Sequence, residues 1–482
     1  MKNLKFRWIK QASLYGIASI LNKAAGIILL PLYSLYIQKE EFGILEIVVI
    51  TNTLFLLVFQ GGIGSAIMRT SALRQEFHHK NIVSTSTWFM LFMGLMGGNI
   101  LFWGAEFFAS LLLADAQYEK LIQLSAFLLL PNLLIAVITA HLRIKEKALT
   151  FLLLQSLGFF IEILAIIVFL KLLRLGLEGI LLALVLKSWA VAIIGIYLMR
   201  QQIRLIFSLR IFLALLRFGS PLVISGIMFY ILNMSDRYFL RVWSTFGNLG
   251  IYSIGYKLGL IVALLVNAMQ MAWPPVMYRI ARESKSRDEF KKLTLAYLAV
   301  ISTFVALISL FAPELLWILT AGKFTEAAII VPPIALAYLF QGLFYMTNIG
   351  LNVTGRTEFE PVVVGLATLT NIGFNILLIP RYDILGAAIA TTISYAVLAV
   401  SAERTSQYFF PTPQNYRLMG GILALIMAIS GASYFFYFEI NLLRFAVKLV
   451  ILFLFSSLLA RLANIQIKKK FLTLLATNAK KN

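Results

Sequence analysis

The residues with the clearest potential for chemistry are charged side chains within otherwise apolar stretches of the sequence. They are four cations and two carboxylates: Lys23, Lys187, Arg237, Lys257, Glu162 and Asp236. A charge in mid-membrane costs at least about 2.5–3.5 kcal/mol, so each needs a partner, water or a ligand. Ion pairing alone would leave a positive surplus. Such a surplus indicates a water-filled cavity, an anionic ligand such as phosphate or pyrophosphate, or both.

We therefore predict that the four cations line a cationic substrate cavity. The two carboxylates would orient these cations or carry coupling ions. Structural pairing within the group, without any ligand, is the alternative interpretation. Arg241 and Lys448 lie nearer the ends of their apolar stretches, where we expect them to be interface anchors.

A second group of polar residues lies in two later apolar stretches. Asn371 and Asn375 are spaced to share one helix face, and Thr391 and Thr392 lie in the next stretch. With Asp236, their oxygens could bind a small cation such as Na⁺, or a carboxylate could carry a proton. Hydrogen bonding between helices, worth about 0.6 kcal/mol on average in membranes, is the alternative.

Several kinds of chemistry are excluded by residues that the sequence lacks. There is no cysteine, which excludes disulfides, thiolate metal sites and a cysteine nucleophile. The sequence has three histidines and no glycine-rich phosphate loop, HExxH or GxSxG motif. We therefore expect a protein that is not an enzyme and has no cofactor other than a coupling Na⁺ or H⁺.

Hydrophobic stretches form the elements that must hold these residues. Of the 482 residues, 60% are hydrophobic and 13% are charged, and the mean hydropathy is +0.88. Windows of roughly 20 apolar residues recur, and each can cross a hydrocarbon core about 30 Å thick. The sequence predicts an all-α integral membrane protein with about 14 transmembrane helices. The predicted spans, in chain order, are 12–36, 43–65, 82–109, 119–140, 148–172, 175–199, 218–243, 247–278, 293–313, 327–350, 358–379, 384–402, 418–436 and 441–462.

The net charge of +21 reflects membrane topology. Most of the 42 lysines and arginines fall in the two terminal segments and in every second loop, whereas the alternate loops hold few. The positive-inside rule then predicts that both termini are cytoplasmic. We expect membrane lipids, and no nucleic acid, as partners.

An internal repeat has a spacing of roughly 200 residues. RLGLEGI at 174–180 matches RYDILGA at 381–387, and Tyr15-Gly16 matches Phe218-Gly219. Spans six apart have the same orientation, so the copies are parallel, as in transporters with a site between two halves. The predicted domains are an N-terminal six-helix bundle (1–199), a basic amphipathic cytoplasmic linker (200–217), a C-terminal six-helix bundle (218–402), and two additional transmembrane helices with a basic cytoplasmic tail (403–482).

The order of several short motifs carries a family resemblance. They are Tyr15-Gly16, Glu41-Phe42-Gly43, Phe218-Gly219, Ser235-Asp236-Arg237, Leu249-Gly250-Ile251-Tyr252-Ser253 and Leu385-Gly386-Ala387-Ala388-Ile389-Ala390-Thr391. The whole chain resembles the polysaccharide-transporter branch of the multidrug/oligosaccharidyl-lipid/polysaccharide (MOP) flippase superfamily. That branch includes O-antigen and capsule repeat-unit flippases.

The resemblance implies two MATE/MOP-like bundles around a cavity that opens alternately to each side. It implies ion-coupled movement of a polyprenyl-pyrophosphate-linked oligosaccharide repeat unit from the cytoplasmic to the outer leaflet, for surface polysaccharide biosynthesis. The membrane would be a bacterial or archaeal cytoplasmic membrane. The polysaccharide polymerase and glycosyltransferases of the same pathway would be partners.

The resemblance also suggests a sodium site. Some lipid II flippases of the superfamily have a sodium site. The positions of this sequence that would match its ligands are Asp236, Asn371, Asn375, Thr391 and the carbonyl of Ala387. Asn375 is an amide where an acid can occur, which weakens the sodium prediction and leaves proton coupling or no coupling open. The first two predicted spans lack the several arginines expected of a lipid II flippase and have only Lys23, so we favour an oligosaccharide flippase.

Three other functions remain as alternatives. A lipid II flippase and a multidrug or organic-cation antiporter belong to the same superfamily, although surplus buried cations disfavour a cationic substrate. A membrane glycosyltransferase or polymerase is disfavoured because such proteins usually carry a large outer loop or a cytosolic catalytic domain.

Overall fold

A computed structural model describes residues 26–73, 76–282, 287–437 and 441–462 of the chain. Within these residues the secondary structure is helical and contains no β-strand. Lys23, the Tyr15-Gly16 motif and the basic C-terminal tail lie outside the described residues.

The α-helices are numbered here in chain order. In the first half they are α1 Leu30–Tyr36, α2 Lys39–Gln60, α3 Ile63–Leu73, α4 His79–Trp103, α5 Ala105–Leu113, α6 Glu119–Ala126, α7 Leu129–Ile144, α8 Ala148–Ile166, α9 Gly176–Met199 and α10 Leu209–Trp243. In the second half they are α11 Phe246–Arg282, α12 Arg287–Leu310, α13 Ala312–Thr320, α14 Val331–Thr347, α15 Ile349–Thr354, α16 Glu360–Phe409, α17 Tyr416–Ala432 and α18 Leu442–Leu462.

Twelve helical segments of the described chain are long and apolar enough to cross a membrane. One of them, Glu360–Phe409, is two spans, because Asp383 interrupts it with φ 49° and ψ −130°. The shorter apolar helix Gly26–Tyr36 falls at the end of the first predicted span. The prediction of about 14 transmembrane helices is therefore consistent with the structure.

The internal repeat has a counterpart in the backbone. Gly176, with φ 55°, opens α9, and the matching position in the second copy is Asp383, with φ 49°. Both residues are in the left-handed region at the start of equivalent spans, although only glycine adopts it without cost. The first residues of α2 and α11 also meet closely, since a Cβ atom on Gly43 would lie 3.2 Å from the amide nitrogen of Gly250.

The predicted linker 200–217 is shorter in the structure. A 3₁₀ turn at Arg200–Gln202 follows α9, and α10 already begins at Leu209, with the Ser208 side chain capping its first turn. The connecting residues are fixed to α4, where Trp88 Nε1 donates to the Arg204 carbonyl at 2.9 Å. The division of the chain into two six-helix bundles stays a prediction.

Contacts between residues group the described chain into two compact units. The first takes its residues from Met1–Leu258, Leu316–Ile330 and Pro361–Ser394. Its apolar core joins α3, α4, α7, α8 and α9, with Ile67 and Val137 fully buried. The second takes its residues from Gly259–Leu315, Val331–Glu360 and Tyr395–Asn482, and in it α12 packs against α14, α17 and α18.

Candidate functional site

The central feature of the first unit is a buried ion pair between consecutive residues of α10. Arg237 Nη1 lies 2.9 Å from Asp236 Oδ1, and the Arg237 amide donates to the same oxygen at 2.9 Å. The other Asp236 oxygen accepts a hydrogen bond from the Tyr252 hydroxyl of α11. Both charged side chains are almost completely buried, at 3% and 2% exposed. A pair this buried persists only because hydrogen bonds satisfy its polar atoms.

A third charged residue, Glu46 of α2, connects this pair to Lys257. Its Oε1 lies 3.1 Å from Arg237 Nε, and its Oε2 lies 2.8 Å from Lys257 Nζ. Sequence reasoning missed Glu46, because it falls close to the start of the predicted span 43–65. Since α2 begins at Lys39, Glu46 is about 10 Å inside the helix, and its place within an apolar helix was the available signal.

Aromatic rings surround the two cations of this cluster. The Arg237 guanidinium carbon lies 4.1 Å from the ring centroid of Tyr256, and Lys257 Nζ lies 4.7 Å from that of Phe42. Such contacts stabilise a desolvated cation by about 2 kcal/mol. Exposure separates the cations, because Lys257 is 21% exposed and Arg237 is sealed. Lys257 can therefore reach a ligand, whereas Arg237 holds Glu46 and Asp236 in place.

A second ion pair lies between α8 and α9. Lys187 Nζ is 2.5 Å from Glu162 Oε2. Both residues are at least about 15 Å from the ends of their helical segments, so they lie in the middle part of those segments. Glu162 is 5% exposed and Lys187 is 26% exposed, so the ammonium is again the accessible partner. The pairing of Lys187 with Glu162 is one that the sequence allowed.

The charges of these described residues balance. Lys187, Arg237 and Lys257 face the carboxylates of Glu162, Asp236 and Glu46. The sequence led us to expect two more cations than carboxylates: Glu46, which was not counted, cancels one of them, and the other, Lys23, lies outside the described residues. Two of the three cations, Lys187 and Lys257, are partly exposed, and each is paired with a carboxylate that is at most 13% exposed. The assignment of Lys23, Lys187, Arg237 and Lys257 to substrate binding stays a prediction.

Most of the predicted sodium ligands already take part in hydrogen bonds within the protein. Asn371 Oδ1 accepts from Ser235 Oγ at 2.9 Å and from Asn375 Nδ2 at 3.0 Å. Thr391 Oγ1 donates to the Ala387 carbonyl at 3.0 Å. Within the described residues, Asn375 Oδ1 is buried without a hydrogen-bond partner. A cation would have to displace some of these donors, and the sodium site stays a prediction.

Among the described residues, no group of three or more His, Cys, Asp and Glu side chains is placed to hold a metal ion. Coupling to Na⁺ or H⁺ stays a prediction.

The two expected interface anchors differ in the structure. Arg241 Nε donates to the Leu112 carbonyl at 3.0 Å, and its side chain is partly buried. Lys448 of α18 is fully buried and lies 2.6 Å from Glu314, so the prediction of an interface anchor was wrong for this residue. Helix α18 packs against α12, which turns Lys448 inward.

The chain matches a known family and is similar to curated proteins. The profile of a family described as polysaccharide biosynthesis protein matches residues 36–329. The capsular polysaccharide biosynthesis protein CapF of Staphylococcus aureus is 29% identical over 176 residues, which are 35% of this chain and 41% of CapF. The probable low-salt glycan biosynthesis flippase Agl15 of Haloferax volcanii is 23% identical over 221 residues, 45% of this chain and 47% of Agl15. The chain thus matches less than half the length of these two curated relatives.

Two solved structures show the same fold. The lipid II flippase MurJ in an inward closed conformation has a TM-score of 0.74 at 15% identity, covering 93% of this chain and 99% of that one. An inward-facing multidrug resistance MATE family transporter of the MOP superfamily has a TM-score of 0.64 at 18% identity, covering 81% and 94%. The predicted all-α MATE/MOP-like fold class is confirmed.

Proposed function

The chain belongs to the polysaccharide biosynthesis protein family, and on that premise we propose that it flips a polyprenyl-pyrophosphate-linked oligosaccharide across the membrane. It is a multi-pass membrane protein, and the family match confirms the resemblance carried by the sequence motifs. Its role is that of a transporter rather than an enzyme. The observation that supports a pyrophosphate-linked substrate is that two partly exposed lysines, Lys187 and Lys257, lie within membrane-spanning helices.

Each lysine can exchange its carboxylate for a phosphate. Lysine is a flexible point charge and a good phosphate ligand, and it needs no fixed bidentate geometry. When Lys257 turns to the substrate, Glu46 keeps its hydrogen bond to Arg237, so the buried carboxylate stays compensated. The sealed Arg237 and Asp236 thus lower the cost of releasing Lys257, although they do not touch the substrate themselves.

The second ion pair, Lys187–Glu162, has no additional described cation that would compensate its carboxylate when the lysine leaves. Within the described residues, Lys187 is the cation bonded to Glu162. If Lys187 moves to the pyrophosphate, a proton is the simplest replacement for it on Glu162, because an uncompensated buried charge costs several kcal/mol. Proton coupling through Glu162 is therefore part of the proposal, and sodium at Asp236, Asn371, Asn375, Thr391 and the Ala387 carbonyl is its competitor.

The proposed orientation follows from the lysine and arginine distribution, and the proposed direction of transport follows from the family resemblance. Both termini would be cytoplasmic, in a bacterial or archaeal cytoplasmic membrane, and the glycolipid would move from the cytoplasmic to the outer leaflet by alternating access. The glycosyltransferases that build the lipid-linked unit would act before it, and a polysaccharide polymerase would act after it.

The test is the leaflet distribution of lipid-linked oligosaccharide in a deletion strain. Wild type should clear glycolipid from the cytoplasmic leaflet, and Lys187→Ala and Lys257→Ala should fail to do so at normal protein levels. Lys39→Ala is the matched control, because Lys39 forms a surface ion pair with Glu326, which is 64% exposed. Unchanged glycolipid distribution together with new drug sensitivity on deletion would refute the proposal in favour of a multidrug exporter.

A further inference from the structure

A polar cleft of about 280 Å³ lies in the first unit, between the end of α2, α3 and α7. Small residues leave room for the cleft, because Gly62 and Gly64 line it on one side and Ala136 and Ala140 of α7 on the other. The lining residues of α7 are spaced three and four apart, so they share one face of that helix. None of the charged residues of the candidate site lines this cleft, so it is a separate feature.

Four polar side chains of the lining have accessible hydrogen-bonding groups. They are Gln60, Ser65, Thr139 and Arg143. Ser65 and Arg143 are exposed, whereas Gln60 and Thr139 are half-buried with polar atoms that the protein does not enclose. Within the part of the chain that the structure describes, none of the four side chains forms a hydrogen bond. A ligand in the cleft can therefore reach all four groups.

The turn between α2 and α3, which forms one wall of the cleft, is fixed against α10. Gly61 and Gly62 both adopt the left-handed region, with φ 57° and 68°. A Cβ atom on Gly219 of α10 would lie 2.3 Å from the Gly61 carbonyl oxygen, so the two backbones are in direct contact. A wall held in this way needs no reordering when a ligand binds, which lowers the cost of binding.

The charge of the lining restricts the ligand. The nine lining residues, all of them described, include one arginine and neither aspartate nor glutamate. The Arg143 guanidinium carbon lies 5.8 Å from the ring centroid of Phe151, and within the described chain Arg143 has no carboxylate partner. Lys145 and Lys147 follow it in the sequence and add positive charge nearby. A cationic ligand is therefore disfavoured and an anion is favoured.

Phosphate is the anion that this set of groups fits. A guanidinium, an amide and two hydroxyls all donate hydrogen bonds, and phosphate oxygens accept them. Arginine pairs with phosphate through parallel charge-assisted hydrogen bonds, which are roughly twice as strong as bonds between neutral groups. The volume lies just below the range of small-molecule pockets, about 300–1,000 Å³, and suits a diphosphate better than an oligosaccharide.

We propose that this cleft is a docking site for the diphosphate of the glycolipid, in addition to Lys187 and Lys257. The inference rests on the proposed function, because it assigns a further contact to the same substrate. Arg143 is the next-to-last residue of α7, at the end that the lysine and arginine distribution assigns to the cytoplasmic side. The proposed substrate starts in that leaflet, so the cleft binds the diphosphate before the two lysines do.

The experiment measures binding of tritiated farnesyl diphosphate to the purified full chain in phosphatidylcholine nanodiscs. The chain carries Lys187→Ala/Lys257→Ala, so that these two lysines do not contribute to the signal. We expect saturable binding that excess inorganic pyrophosphate displaces and excess farnesol does not. Absence of saturable binding, or displacement by farnesol alone, would overturn the inference. Loss of binding in nanodiscs that contain phosphatidylglycerol would also overturn it, because the cleft would then hold a membrane phospholipid.

Two variants, made in the same background, assign the binding to this cleft. Arg143→Gln removes the positive charge and keeps an amide donor, and Thr139→Val removes only the hydroxyl. Arg143→Gln should weaken binding about tenfold or more, and Thr139→Val about three- to tenfold, as expected for hydrogen bonds to a charged group and from a neutral one. Arg200→Gln is the matched control, because Arg200 is also exposed, lies 3.9 Å from the ring centroid of Tyr197 and is outside the cleft. Equal binding by Arg143→Gln and Arg200→Gln would place the diphosphate elsewhere and refute the inference.

The leaflet assay separates this inference from the proposed function. If Lys187→Ala and Lys257→Ala block glycolipid clearance while farnesyl diphosphate does not bind through Arg143, the flippase function stands and the docking site falls. If farnesyl diphosphate binds through Arg143 and Thr139 while deletion leaves glycolipid distribution unchanged, the diphosphate site stands and the flippase proposal falls.

Discussion

Replacing Glu46 with glutamine should be among the most destabilising single changes in the first unit. Glu46 accepts charged hydrogen bonds from Arg237 at 3.1 Å and from Lys257 at 2.8 Å, and its side chain is 13% exposed. The change leaves two cations facing the single carboxylate of Asp236. Breaking a buried pair costs about 3–5 kcal/mol. Because Lys257 is partly exposed and Arg237 remains paired with Asp236, we expect the free energy of unfolding to fall by about 3 kcal/mol.

A second substitution that restores the charge balance of the cluster provides the sharpest test. In Glu46→Gln/Lys257→Gln one charge of each sign is gone, and the Arg237–Asp236 pair remains complete. The double variant should therefore be more stable than Glu46→Gln alone. Glu326→Gln, in a surface pair, should cost about 0–1 kcal/mol. Unfolding in detergent micelles would be followed by intrinsic fluorescence. Additive losses in the double variant, or a Glu46→Gln loss no larger than that of Glu326→Gln, would refute the charge balance.

Three further predictions concern packing, backbone strain and the second unit. Gly43→Ala should lower the free energy of unfolding by about 1–3 kcal/mol, because the added Cβ would meet backbone atoms of α11. Gly365→Ala, at a position with open space around it, should leave stability unchanged, and thermal unfolding compares the two variants. Asp383→Gly should be more stable than Asp383→Ala by about 1–3 kcal/mol. Both variants lose the carboxylate, and only glycine adopts a φ of 49° without strain. Equal stability of the two variants would show that the backbone is not strained there. Lys448→Met should cost about 3–5 kcal/mol, and adding Glu314→Gln should recover most of it; chemical denaturation measures whether it does.

The fold was largely predictable because a membrane imposes strong and uniform constraints on sequence. Every span must be apolar and helical, so hydropathy locates it, and a charge within a span stands out. The pair Lys187–Glu162 is of this kind, since both residues lie deep in their spans. The left-handed break at Gly176 and Asp383 also falls where the repeat aligns the two halves.

What could not be predicted is which face of a helix packs inward and how far each helix extends. Glu46 lies close to the start of the predicted span 43–65, whereas α2 begins at Lys39 and places it deeper inside the helix. The sequence predicted an interface anchor at Lys448, yet α18 turns it toward Glu314, where its side chain is fully buried.

The most direct test of the central claim is flipping by the purified chain in liposomes. A fluorescent polyprenyl-pyrophosphate-linked oligosaccharide would be incorporated into both leaflets, and a membrane-impermeant quencher would report the fraction that reaches the outer leaflet. We expect full accessibility with wild type and with Lys39→Ala. With Lys187→Ala/Lys257→Ala we expect only the original outer-leaflet fraction to be accessible. Flipping by the double lysine variant at the wild-type rate would refute the proposed role of the two lysines.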